Sequence, residues 1–178
     1  MATTVDLVVT RTFDAPIAKV WEAWTDERFV RRWWGVDGFS NILARMDVRE
    51  GGTSHVGMRA SKEYGGLDYY NVFRYTRVVP YKLIQWTSNF ADKDGSVIPP
   101  EAAGLPSETP MDKEQQAEFV DLGNGRTKVT VTERGWLAGG VMAERSRRGL
   151  EQTLANIGRL LADTAKPEGS KAADKPPR

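Results

Sequence analysis

Hydrophobic and polar positions alternate from the start of the chain: Val5, Leu7, Val9, Arg11 and Phe13 share one parity, with Asp6, Val8, Thr10 and Thr12 between them. A period of two over a largely β-branched run predicts a strand packed on one face and partly on the other. The period then changes. Asp14-Ala15-Pro16 offers a cap-like aspartate and a proline for a first helical turn, and Val20, Trp21 and Trp24 recur at helical spacing. A second short helix is predicted over 27–34, because Phe29, Val30, Trp33 and Trp34 keep to i, i+3, i+4 spacing and Gly35 stops the run.

From residue 40 onward the pattern returns to a period of two, broken by turn residues. Strands are predicted over 42–48, 53–59, 69–79 and 83–90, with Gly51-Gly52, Gly65-Gly66 and Pro80 at the breaks. Two more, over 115–122 and 126–134, flank Gly123-Asn124-Gly125, whose residues tolerate the positive φ angles of a tight hairpin. Residues 91–112 carry Pro99-Pro100, Pro106 and Pro110 and form a loop of a length typical of functional lids or disordered segments. After Gly139-Gly140 a last helix runs over 141–163, with Met142, Ser146, Gly149, Leu150, Thr153, Leu154, Ile157, Leu160 and Leu161 on one stripe. Residues 166–178, rich in Lys, Pro, Ala, Asp and Gly, have almost nothing apolar to offset the entropy of ordering, and a disordered tail is expected there.

The order β-α-α-β6-α defines an α+β domain over residues 1–165 with about seven strands. A terminal helix long enough to cross the whole sheet is best accommodated when the antiparallel sheet curls around it, a helix-grip arrangement. Composition narrows the chemistry. Twenty-five Lys and Arg against 24 Asp and Glu leave no global field that would favour nucleic acid or an anionic membrane. With no cysteine and one histidine, thiolate nucleophiles, disulfides and the usual zinc sites are excluded, and no cofactor is expected. Neither an export signal nor a membrane-spanning apolar run is visible, so the expected location is the cytoplasm.

The text Arg11-Thr12-Phe13-Asp14-Ala15-Pro16, Val20-Trp21-Glu22-Ala23-Trp24-Thr25-Asp26, Trp33-Trp34-Gly35, Asp47-Val48-Arg49-Glu50-Gly51-Gly52, Val78-Val79-Pro80 and Thr127-Lys128-Val129-Thr130-Val131-Thr132 resembles the SRPBCC superfamily. Within it the chain is similar to bacterial proteins resembling the activator of heat-shock protein 90 ATPase. The resemblance covers nearly everything except the tail. It implies a helix-grip fold with a cavity between sheet and C-terminal helix. The superfamily includes lipid carriers, aromatic-polyketide cyclases, antibiotic self-resistance proteins and co-chaperone domains, so the fold alone does not name a function.

Adjacent helical residues point about 100° apart, so Trp33 and Trp34 cannot both serve one packing contact and one of them is a candidate cavity wall, with Phe39 following. The competing reading packs both indoles between the helices and the sheet. Alternation assigns Val56, Met58, Tyr69, Phe73, Tyr75, Trp86 and Phe119 to the concave face, together with Ile84, Val129 and Val131. Opposite them Met142, Ser146, Gly149, Leu150 and Thr153 line the helix. Ser146, Gly149 and Thr153 are too small to fill the space that leucine would fill in a solid core. His55 has the parity of the convex face, and Glu118, Asp121 and Glu133 read as mostly surface charges, so no acid and base are matched. The leading expectation is therefore a monomer that binds a hydrophobic, aromatic or polycyclic small molecule, with weak catalysis or none. A cyclase or dehydratase, and a protein-interaction domain of the co-chaperone kind, are the alternatives.

Overall fold

The computed structural model describes residues 3–165, and the tail expected to be disordered lies outside the described residues. The chain runs β1 (Thr4–Phe13), α1 (Ile17–Thr25), α2 (Glu27–Trp33), β2 (Phe39–Arg45), β3 (Thr53–Ala60), β4 (Asp68–Val79), β5 (Leu83–Ala91), β6 (Lys113–Gly123), β7 (Arg126–Leu137) and α3 (Val141–Thr164). All seven strands form one antiparallel sheet in the order β1-β7-β6-β5-β4-β3-β2. β1 and β2 are thus the two edges, and α1 and α2 must carry the chain from one edge to the other across the sheet. Register shifts at Val5/Leu7, Asn41/Leu43, Tyr75/Arg77 and Asp121/Gly123 add local twist and help the sheet curl. The β6–β7 turn places Gly123, Asn124 and Gly125 all at positive φ, as their residue types allow.

The main core lies on the concave face. Ile84, Ala117, Phe119, Val129 and Val131 of the sheet meet Val20 and Ala23 of α1, Val30 and Trp33 of α2, and Leu154, Ile157, Leu160 and Leu161 of α3. Each fully buried aliphatic side chain here stabilises the fold by about 1.5–3 kcal/mol relative to exposure. The buried residues of α3 in this core are Leu154, Ile157, Leu160 and Leu161; Ser146, Gly149, Leu150 and Thr153, N-terminal to them, are half-buried. A smaller cluster of Leu7, Trp136, Met142 and Ala143, with Leu105 against it, anchors the start of α3.

Several local expectations need correction. Pro16, not Asp14, is the N-cap of α1, which has no side-chain cap and begins with Lys19 and Val20 N–H bonding to the Pro16 carbonyl. The aspartate cap belongs to α2, where Asp26 Oδ1 accepts from Arg28 N at 2.8 Å. The second strand lies three residues earlier than 42–48. Asp47 N donates to Ser54 Oγ at 3.1 Å and Gly52 N to the Arg49 carbonyl at 2.8 Å, so the chain turns there. Met46 and Val48, which suggested a continuing strand, still pack on the core from that turn. Residues 92–112 are a folded segment. The Asp92 carboxylate accepts from Asp94 N and Ser96 N, a 3-10 turn covers Pro100–Ala103, and Asp112 N donates to Asn89 Oδ1 at 2.7 Å. Glu108 Oε1 then accepts from Met142 N at 3.0 Å, supplying the cap that Gly140 cannot give α3.

Candidate functional site

Strand register arranges the concave face in rows. Tyr75, Trp86, Gln115, Glu133 and Leu7 lie opposite one another across five strands. Ser54, Phe73, Ser88 and Lys113 form the next row, then Val56, Asn71 and Phe90, then Met58 and Tyr69. Val56, Phe73, Tyr75 and Trp86 are buried, whereas Met58, Tyr69, Asn71, Phe90, Lys113 and Gln115 are half-buried. Ser146, Gly149, Leu150 and Thr153 on α3 are likewise half-buried. Phe119 and Met142 pack elsewhere. Phe119 has Trp21 and Trp24 at 5.1 and 5.6 Å in the main core, and Met142 belongs to the small cluster at the start of α3.

The adjacent tryptophans diverge because Trp34 leaves the helix: it is the C-cap of α2, with an extended ψ of 115°. Trp33 is 5% exposed and its Nε1 donates to the Ala23 carbonyl at 2.7 Å. Trp34 turns over the sheet, its ring 5.5 Å from Phe73, and Phe73 lies 6.1 Å from Trp86. Its Nε1 is buried and has no hydrogen-bond partner. An orphaned buried donor is uncommon and costs about 1–3 kcal/mol unless something accepts from it. Residues 35–37 rest on α3: Asn156 Nδ2 donates to the Gly35 carbonyl at 2.9 Å, and Gln152 Oε1 accepts from Asp37 N at 3.2 Å. Gly149 admits Val36, since a Cβ there would stand 3.4 Å from Val36 Cγ1. A hollow of about 300 Å³ with largely polar walls is formed by residues 31–41 and Asn156, among them Arg31, Arg32, Trp34, Asp37 and Asn41; Phe73, Trp86, Ser146, Gly149 and Thr153 do not line it. Phe39 in turn has Tyr64 and Tyr69 at 6.1 and 6.0 Å.

The polar part of the site differs from expectation. Glu133, read from the sequence with the surface charges, is 6% exposed and faces α3. Its Oε2 accepts from Ser146 Oγ at 2.6 Å and Trp136 Nε1 at 3.2 Å, and its Oε1 from Gln115 Nε2. Gln115 Oε1 accepts from Trp86 Nε1 at 2.7 Å, so the aromatic row leads into the carboxylate. The missed signal was parity, because Val129, Val131 and Glu133 alternate onto the same face. His55 points to the convex side, its Nε2 3.2 Å from the Asp92 carbonyl and its ring beside Tyr70. Burial pushes the Tyr75 hydroxyl up to about 12, although its 2.8 Å bond with Ser54 acts in the other direction. Among the described residues no group of His, Asp and Glu is arranged to hold a metal ion.

A curved seven-stranded antiparallel sheet gripping a long C-terminal helix defines a helix-grip protein of the SRPBCC superfamily. The chain belongs to the activator of Hsp90 ATPase homolog 1-like family, whose model matches residues 14–162. Members of this family commonly bind hydrophobic ligands. Solved structures share the fold. A protein from Arthrobacter aurescens is 18% identical with a TM-score of 0.72, covering 97% of this chain and 98% of its own. One from Chromobacterium violaceum is 21% identical with a TM-score of 0.70, covering 88% and 96%. The AHSA1 protein from Silicibacter pomeroyi is 18% identical with a TM-score of 0.70, covering 90% and 99%. Comparison with curated proteins gives no match. No helix among the described residues is long and apolar enough to cross a membrane.

Proposed function

We propose that the protein binds a hydrophobic, aromatic or polycyclic small molecule in the trough between α3 and the sheet, and holds or carries it without converting it. The observation that carries this reading is Trp34. Its indole lies against Phe73 at the end of the trough with a buried, unpartnered N–H, beside the hollow of about 300 Å³. Small-molecule sites pair apolar walls with a few fixed polar groups, and here the apolar walls are the rings of Trp34, Phe73 and Trp86. The small side chains of Ser146 and Thr153 leave room opposite the aromatic floor, while Val36 takes the space beside Gly149. Stacking on Trp34 and Phe73 and acceptance from the Trp34 N–H would orient a flat guest.

A thermal-shift screen against aromatic polyketides, flavonoids, lipids and sterols tests it, because a ligand that binds only the native state raises the apparent stability. A flat aromatic compound should raise Tm with saturation, and substitution of Trp34 should reduce the shift. A panel without a saturable shift, or shifts indifferent to Trp34, would contradict the reading.

A further inference from the structure

The buried Glu133 carboxylate is served entirely by neutral donors. Gln115 Nε2, Trp136 Nε1 and Ser146 Oγ fill three acceptor positions, one on Oε1 and two on Oε2. A carboxylate offers about four, so Oε1 retains capacity for one more donor. No cation among the described residues pairs with it. Lys113, in the adjoining row, places its ammonium 4.7 Å over the Trp136 ring instead, and Arg145 turns toward Met142 Sδ. The rest of the row holds the carboxylate in position: Trp86 fixes the Gln115 amide through Oε1, which aims the amide nitrogen at Glu133. Glu133 is thus buried beside α3 and bonded to it through Ser146, with no cation among the described residues paired with it, an arrangement in which a cationic partner would be strongly favoured.

We infer that Glu133 is the recognition site for a cationic hydrogen-bond donor on the ligand, so that the guest is an aromatic amine and not a neutral or acidic aromatic compound. This rests on the trough reading and adds the charge of the ligand. The ammonium would take the open position on Oε1 while the ring lies along Trp86, Phe73 and Trp34. A cation accepted by a carboxylate in this partly desolvated setting binds more strongly than a hydroxyl in the same place.

Three probes of one shape separate the possibilities: 2-naphthylmethylamine, 2-naphthylmethanol and 2-naphthoic acid, titrated calorimetrically into the wild-type protein and Glu133→Gln. The amine should bind about tenfold or more tightly than the alcohol, the acid weakest, as expected for a charge-assisted hydrogen bond over a neutral one. In Glu133→Gln the amine should lose about tenfold while the alcohol stays within about twofold. If the variant does not fold, the order of the three probes on the wild-type protein decides. Equal affinity for amine and alcohol overturns the charge assignment and leaves the trough reading standing. Equal weakening of both in Glu133→Gln overturns it as well. Absence of binding by all three overturns both.

Discussion

The two neighbouring tryptophans should respond oppositely to one substitution. Trp33→Phe removes a bonded N–H, leaves the Ala23 carbonyl without its 2.7 Å donor and opens space in a core position that is 5% exposed. The lost bond is worth about 1 kcal/mol net and the unfilled volume about 1–2 kcal/mol more, giving a loss of about 2–4 kcal/mol once the stranded carbonyl is included. Trp34→Phe also removes ring area, but at a half-buried position, for about 1 kcal/mol. It deletes a buried donor that has no partner, and that relief is worth about 1–3 kcal/mol. The net change runs from none to a gain of about 2 kcal/mol. Urea unfolding of both variants, followed by far-ultraviolet circular dichroism, gives the comparison from the midpoint at unchanged slope. A loss of 2 kcal/mol or more in Trp34→Phe, equal to that of Trp33→Phe, would mean that the Trp34 N–H has a partner in the free protein and would remove the chief reason for placing a ligand there.

Other consequences can be measured separately. Thr153→Leu should fill the trough, raising stability by about 0.5–1.5 kcal/mol while abolishing naphthyl binding; unchanged affinity would place the guest elsewhere. Tyr75 ionises near 10 in an unfolded chain and near 12 here, so stability is complete below pH 10 and falls as the pH rises through 12, by at most about 3 kcal/mol. Tyr75→Phe should lose that component of the alkaline decline, and an identical alkaline limb in the variant would contradict the burial of the hydroxyl. The Arg28 side chain, by hydrogen bonding, holds the Asp26 carboxyl below the usual aspartate range. Its contribution is therefore present above about pH 4 and disappears as the pH falls through the folded value. Asp26→Ala should cost about 1 kcal/mol at neutral pH, the ordinary worth of an N-cap, and less in acid. Gly57→Ala would bring a Cβ to 2.6 Å from the Tyr70 ring, and a loss of about 1–3 kcal/mol by thermal melting is expected.

The fold was legible because its signals are periodic. Alternation placed Val129 and Val131 inward, and Gly123-Asn124-Gly125 marked a turn that only a few residue types permit. Errors arose where hydrogen bonds between distant residues decided the matter. Ser54 Oγ turns the chain at Asp47, which no local pattern in residues 42–48 announces. The divergence of Trp33 from Trp34 follows from where α2 ends, a boundary that the spacing of apolar residues does not set. Glu133 is the instructive case. Its parity with Val129 and Val131 points inward, but residue type groups it with the surface charges, since carboxylates are rarely buried. Its three partners come from β6, β7 and α3, and only the closed fold brings them together.

The most direct test of a ligand seated at Trp34 is an NMR titration with 2-naphthylmethanol that follows the indole N–H signals of the six tryptophans. The Trp34 indole signal should shift most, at the same midpoint as the backbone amides of Ser146, Gly149 and Thr153. Saturable shifts confined to other residues, with the Trp34 indole unmoved, would contradict a guest in the trough.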